Sequence, residues 1–105
     1  MKDMMGLMKQ AKKMQANMEA AKQKVADLTA TGKSGGGLVT LTLSGGGNMS
    51  GITIAPDLMD KDEIDVLEDL IVAAYHDAKV KLDEASAAAM KDAMGDIQLP
   101  PGMSL

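Results

Sequence analysis

Apolar residues in the first quarter of the chain recur with the spacing of an amphipathic helix. Their separations alternate between three and four positions, which places them on one face of a helix. Good helix formers, mainly lysine, glutamine, alanine and methionine, fill the remaining positions. The pattern predicts a first helix from about residue 2 to about residue 26. Its apolar seam is Met4, Leu7, Ala11, Met14, Met18, Ala21, Val25 and Leu28, within which Leu7, Met14, Met18 and Val25 are candidates for a packing or dimer seam.

The middle of the chain changes to a period of two. Short segments rich in threonine and aliphatic residues predict strands. One face carries Val39, Leu41 and Leu43, and the other carries Leu38, Thr40 and Thr42. Glycine clusters separate these segments, and glycine adopts the positive φ angles of hairpin turns at little cost. The pattern predicts a three-stranded antiparallel meander, built from LTATGKS (28–34), LVTLTLS (38–44) and SGITIAP (50–56) and reversed at SGGG (34–37) and GGGN (45–48).

The last segment returns to helical spacing after Pro56. Asp60 and Glu63 resemble a capping box, and Gly95 fits a C-terminal cap. Pro100 and Pro101 cannot continue a helix, so residues 97–105 are expected to form a flexible tail. The order α-β-β-β-α predicts an α+β fold in a single domain spanning residues 1–105. The apolar stripe of the second helix is Ile64, Leu67, Ile71, Ala74, Ala78, Leu82, Ala85 and Ala89.

The lengths of the two helices bear on assembly. They would be roughly 38 and 50 Å long, whereas a compact chain of this size is only about 33 Å across. Both apolar stripes would therefore extend beyond the sheet into water, and the sheet would have two open edges. A symmetric homodimer is the simplest arrangement that covers these surfaces.

Composition excludes most catalytic chemistry. The chain has no cysteine and one histidine, His76, so it offers no thiol nucleophile, cysteine zinc site or multi-histidine metal site. His76 beside Asp77 could suggest a base and its orienting acid, but no nucleophile motif accompanies them. We expect a protein that is not an enzyme and that needs no cofactor, metal or small-molecule substrate.

Two further segments resemble nucleotide-binding and calcium-binding motifs, but their residues do not match the spacing that those motifs require. Gly32-Lys33-Ser34 resembles the end of a P-loop, but Asp27 stands where the first glycine belongs, and a strand follows instead of a helix. The acidic stretch 60–69 lacks the EF-hand pattern, because Asp65 occupies the position that needs glycine. Acidic residues near the start of a helix explain the second motif.

Several segments together resemble the YbaB/EbfC family of bacterial nucleoid-associated proteins, and the resemblance covers essentially the whole chain. It implies a tweezer-like homodimer with paired sheets at the centre and projecting helices. It also implies binding of double-stranded DNA with little sequence preference, and a role in nucleoid organisation and gene expression. The segments are GLMKQAKKMQANM (6–18), TGKSGGGLVTLTLSG (31–45), APDLM (55–59), LEDLIVAAYHDA (67–78) and QLPPGM (98–103).

Charge is distributed unevenly along the chain. Residues 1–33 hold seven lysines and three acidic residues, a net charge of +4, whereas the remaining 72 residues hold four lysines and twelve acids, a net charge of −8. On the predicted first helix, four lysines point away from the apolar seam, and we expect them to bind DNA phosphates. They are Lys2, Lys9, Lys12 and Lys13.

Composition also limits how DNA could be read. The chain has no arginine, the residue that most often reads guanine edges, and its one aromatic residue is Tyr75. Contacts should therefore be made to the DNA backbone. The alternative interpretation is a dimeric protein-interaction module whose methionine-rich first helix binds a protein partner without DNA.

The N-terminus contains lysines and lacks an apolar run of signal-peptide length, and the chain has no stretch of 18 apolar residues. We therefore expect a soluble protein of the bacterial cytoplasm and nucleoid, without a membrane partner.

Overall fold

A computed structural model describes the backbone of residues 2–95 and the side chains of residues 4–93. The predicted α-β-β-β-α order is confirmed. The predicted tail, 97–105, lies outside the described residues. The elements are α1 (Lys2–Asp27), β1 (Thr29–Ser34), β2 (Val39–Ser44), β3 (Met49–Ile54), a short 3-10 helix (Pro56–Leu58) and α2 (Ile64–Gly95).

The three strands form an antiparallel meander in the order β1-β2-β3. The glycine clusters form the two turns, as predicted, and four of their residues have positive φ: Gly35, Gly36, Gly37 and Gly47. In β3 the pairing shifts by one residue, because Gly51 faces Thr42 while Met49 faces Leu43. Ser50 is therefore the extra residue of a β-bulge, the device by which an edge strand bends and twists.

The hydrophobic core lies between one face of the sheet and α2. Val39, Leu41 and Leu43 alternate along β2 and are almost fully buried, which confirms the face predicted from their spacing of two. On α2, the matching residues Ala74, Ala78 and Leu82 recur every four positions and are buried against them. The threonines of β2 point to the opposite, partly exposed face of the sheet.

Helix α2 approaches the backbone of β1 unusually closely at Gly32. A Cβ atom built at Gly32 would overlap the carbonyl oxygen of Ala74 and the backbone nitrogen of Ala78. Only glycine on the strand and alanine on the helix leave room for this distance. The contact also places α2 over β1 and β2, so that β3 receives little cover from it.

Only the C-terminal half of α1 packs against α2. Ala21 is buried there, whereas Met18 and Val25 are half-buried. Asn17 of α1 and Ala93 of α2 line one small cavity between the helices, so the end of α2 lies beside the middle of α1. The residues before Met14 project beyond it as an arm.

The projecting arm gives the molecule an elongated shape. The radius of gyration is 20.5 Å, against about 13 Å for a compact chain of this length. On the predicted seam, Leu7 is 63% exposed and Met14 is 37% exposed. The predicted apolar seam of α1 therefore packs against α2 along half of its length and is exposed along the other half.

The two edges of the sheet differ. The carboxylate of Asp77 accepts a hydrogen bond from the backbone N–H of Lys33 at 3.0 Å, and the Lys81 ammonium donates to the carbonyl oxygen of Thr31 at 3.3 Å. These side chains of α2 occupy the free edge of β1. Within residues 2–95, β3 pairs only with β2, and Ile52 on its α2-facing side remains 38% exposed.

The predicted capping box at the start of α2 is wrong. Asp60 accepts a hydrogen bond from the N–H of Asp62 at 3.0 Å, two residues on, which forms a local turn instead of a helix cap. The helix begins at Ile64, where the Glu63 carbonyl accepts from the N–H of Leu67. Short aspartate side chains bond equally well within turns and at helix caps, so spacing alone did not distinguish the two.

The contact at Gly32 can be tested by comparing two glycine substitutions in the sheet. Gly32→Ala should lower the free energy of unfolding by about 1–3 kcal/mol, because the new methyl group meets helix backbone that cannot move aside. In the matched control, Gly51→Ala, nothing lies within 4 Å of the added Cβ, so stability should hold. Denaturant unfolding measures both, and equal stabilities would contradict the close contact.

Candidate nucleic-acid interface

The candidate interface is the lysine-bearing face of the α1 arm. Lys9, Lys12 and Lys13 are all exposed, on the side of the helix that faces away from the apolar seam. Neighbours three and four positions apart lie about 5–6 Å from each other on a helix surface. The three lysines are therefore neighbours on the helix surface and form one cationic patch. The side chain of Lys2, the fourth predicted contact, lies outside the described residues.

The lysines of the patch differ from Lys79 and Lys81 of α2 in their pairing. Among the described side chains the salt bridges are Lys79–Asp83 at 2.6 Å and Lys81–Asp77 at 3.0 Å, and both lie within α2. The hydrogen bond that the Lys79 ammonium donates to Asp83 raises the pKa of Lys79. Within the same described part, no acidic group pairs with the three arm lysines, so their charges remain available to an anionic partner.

The uneven charge along the sequence thus becomes a separation in space. The arm carries three lysines close together at one end of a molecule that extends 75 Å along its longest axis. The acidic residues are concentrated on α2 and on the connection that leads into it. A polyanion approaching the arm therefore meets the cationic end of the protein first, which favours binding there despite the overall charge of −4.

The pair His76 and Asp77 is not a base with its orienter. Asp77 accepts hydrogen bonds from the Lys33 backbone and from Lys81, both at 3.0 Å, and these lower its pKa, the backbone bond contributing most. His76 is exposed and shares no hydrogen bond with Asp77 among the described residues. The sequence alone did not predict that Asp77 and Lys81 bond to the free edge of β1. Their spacing of four residues is nevertheless typical of an ion pair on one face of a helix.

The other candidate ligand motifs gain no support from their geometry. Lys33 and Ser34 are the last two residues of β1, and the Ser34 hydroxyl donates a hydrogen bond to the Leu70 carbonyl. Because they lie at the end of a strand, they do not present a helix N-terminus to a phosphate. Within the part of the chain that is described, no three acidic or histidine side chains cluster closely enough to hold a metal ion. Neither helix, over its described length, is apolar enough to cross a membrane.

The fold and this surface define a small α+β binding protein with a cationic helical arm. The sequence profile described as the YbaB/EbfC DNA-binding family matches residues 1–97. The chain belongs to this family, as the resemblance of its segments indicated. The family is defined by DNA binding and not by an enzymatic activity.

Relatives match over the full length of the chain. A nucleoid-associated protein of Brucella ovis is 50% identical over all 105 residues, which cover 98% of that protein. A nucleoid-associated protein of Maricaulis maris matches with the same identity and coverage. The similarity therefore includes both the arm of α1 and the segment after α2.

A solved structure supports the fold independently of close sequence similarity. The crystal structure of an uncharacterised protein from Helicobacter pylori aligns with a TM-score of 0.65 at 22% identity. The alignment covers 78% of this chain and 86% of that one. The α-β-β-β-α arrangement is thus shared by chains whose sequences differ at most positions.

The hydrogen bonds of Asp77 at the free edge of β1 should make the free energy of unfolding depend on pH in the acid range where aspartate titrates. The folded-state pKa of Asp77 lies below 3.8, so its stabilising effect is present above pH 3.8 and is lost as the pH falls through the folded value. Asp77→Asn should therefore be less stable than the parent at neutral pH, with the difference shrinking in acid. Denaturant unfolding between pH 2.5 and 7 measures this.

The control for this experiment is Asp57→Asn, since Asp57 is exposed and makes no side-chain hydrogen bond or salt bridge among the described residues. Its stability should follow that of the parent across the range. If the free energies of unfolding of Asp77→Asn and the parent differ by the same amount at every pH, the charge of Asp77 does not stabilise the β1 edge.

Proposed function

We propose that this protein binds double-stranded DNA through the phosphate backbone, with little sequence preference. It would act at the nucleoid in the cytoplasm and contribute to nucleoid organisation and gene expression. Family membership supports DNA as the partner. The observation that carries the proposal is the patch of exposed lysines, without acidic partners among the described side chains, on a helix that projects from the rest of the molecule.

The chemistry of the patch favours backbone contacts over base reading. Lysine ammonium groups act as mobile point charges, which suit phosphates. They lack the planar pair of donors with which arginine forms two hydrogen bonds to one base edge. The patch contains no arginine or aromatic residue, so neither bidentate recognition of guanine nor stacking on bases is available to it. Such contacts position a protein on DNA without selecting a sequence.

The arm is long enough to engage several phosphates. Residues 2–14 form about three turns of helix, or roughly 18 Å. Duplex DNA carries one negative charge per about 1.7 Å of its axis. A stretch of duplex as long as the arm therefore contains about ten phosphate charges. Three or four lysines can therefore each reach a phosphate without bending the helix or the DNA.

We further propose that the protein acts as a homodimer joined near β3. Three observations support this interface over the β1 edge: Asp77 and Lys81 occupy that edge, β3 has one strand neighbour among the described residues, and α2 leaves Met49 and Ile52 exposed. A two-fold axis beside β3 would join the sheets and double the number of arms. Two arms would bind a long duplex more tightly than one.

A second candidate function is the docking of a protein partner on the arm. Met4, Met5, Leu7 and Met8 are each between 61% and 69% exposed, and flexible methionines suit adaptable protein contacts. In this case the arm would bind through its apolar face and not through its lysines. Family membership places this candidate second, and the experiment below distinguishes the two.

The proposed DNA contacts predict a steep dependence on salt. If about five of the arm lysines of a dimer contact phosphates at the same time, binding should be roughly 500-fold weaker at 200 mM salt than at 50 mM. The triple variant Lys9→Gln, Lys12→Gln, Lys13→Gln should bind every duplex more weakly and with a shallower salt slope. Binding of unrelated duplexes across a salt series, by fluorescence anisotropy, measures both effects.

A matched variant controls for the loss of three charges. Lys33→Gln, Lys61→Gln and Lys79→Gln remove the same charge from the sheet half of the molecule, and this variant should keep most of the affinity and slope. If both variants lose affinity equally, net charge and not the arm governs binding. A parent protein that fails to bind duplex at low salt would support the protein-partner function.

The proposed interface predicts opposite outcomes for two exposed apolar residues. Ile52→Lys should convert the dimer into a monomer of 10.9 kDa, because it places a charge on the α2-facing side of β3. Val72→Lys should leave the dimer intact, although Val72 on α2 is the more exposed of the two, at 67%. Sedimentation at micromolar concentration measures the mass.

The same measurement can reject the interface. A dimer that survives Ile52→Lys and dissociates in Val72→Lys would move the contact to the outer face of α2. A parent that sediments as a monomer would contradict dimerisation itself.

A further inference from the structure

The apolar seam of α1 is covered along only half of its length. We call Met4, Leu7, Ala11 and Met14 the open seam, since all four are exposed, with Met4 at 68%. Beyond the open seam α1 packs on α2, where Met18 is half-buried and Ala21 is buried. The boundary falls where α2 ends, because Ala93 and Asn17 line the same cavity and α2 stops two residues later, at Gly95.

The chain itself continues from this boundary. Helix α2 runs antiparallel to β1, since Leu70, Asp77 and Lys81 bond in turn to Ser34, Lys33 and Thr31. Because α1 leads directly into β1, α2 then continues back along α1, and its last turns line a cavity with Asn17 and Lys24. Helix α2 therefore ends, at Gly95, near the point of α1 where the open seam begins. The sequence after Gly95 is DIQLPPGMSL, whose apolar residues are Ile97, Leu99, Pro100, Pro101, Met103 and Leu105.

Length and composition suit this segment to the open seam. The seam from Met14 to Met4 extends about 15 Å along the helix axis, and five residues of extended polyproline geometry span about the same distance. Proline has no backbone N–H, so a segment containing Pro100 and Pro101 leaves fewer unsatisfied donors when it covers an apolar surface. The prolines also lower the entropy lost on docking.

We propose that residues 97–101 dock on the open seam of α1 in the same chain, continuing the cover that α2 provides as far as Gly95. A segment tethered this close has a high effective concentration for its site, which favours it over a separate molecule. Lys9, Lys12 and Lys13 face away from the open seam and stay free. The proposal is therefore independent of whether those lysines bind DNA.

Methionine oxidation tests the proposal in the full chain without added labels. Met4 and Met5 are adjacent and equally exposed, at 68% and 69%, but only Met4 belongs to the open seam. Under dilute hydrogen peroxide, Met4 should oxidise about threefold more slowly than Met5, because a docked segment shields it. Met59, which is 65% exposed near the start of α2, provides a second reference rate. Fragment-ion mass spectrometry assigns the oxygen to each residue.

Two variants identify what covers the seam. Ile97→Ser with Leu99→Ser should bring the oxidation rate of Met4 up to that of Met5, whereas the control Gln98→Ser should leave the difference unchanged. Equal rates for Met4 and Met5 in the parent would show that nothing covers the seam and overturn the proposal. Protection of Met4 that survives the double variant and disappears on dilution would assign the seam to a second copy, and would also overturn it.

Discussion

Helix α2 crosses β1 so closely at Gly32 that their backbones almost touch, and the positions of the other elements follow from this contact. Glycine on the strand and alanines at the matching turns of the helix remove the side-chain atoms that would otherwise separate the two. The short distance brings the polar side chains of α2 within reach of the β1 edge. The same placement draws α2 away from β3.

The two edges of the sheet consequently have different properties. Asp77 and Lys81 satisfy backbone groups of β1 as a neighbouring strand would, which protects that edge from pairing with another chain. The β3 edge has no such cover among the described residues, and its apolar side chains are exposed beside it. This asymmetry is the reason for placing the interface of the proposed homodimer at β3.

Charge pairing follows the same division. On α2, lysines and aspartates four residues apart neutralise each other, whereas the lysines of the α1 arm lack partners in the described part of the chain. A protein with a net negative charge can therefore present a locally positive surface to DNA. Because the arm has few other contacts, substitutions of its lysines should affect binding far more than stability.

Local patterns in the sequence determined the secondary structure, because spacings of two, three and four report directly which residues share a face. They gave the element order, the buried face of β2 and the outward position of the α1 lysines. The tertiary structure alone decided where the α1 seam becomes uncovered, since this depends on where the end of α2 meets α1 at Asn17. It also decided the role of Asp77, whose partner Lys33 lies 44 positions away. Contacts between residues so distant in sequence form only when the helix has packed on the sheet, and no local pattern encodes them.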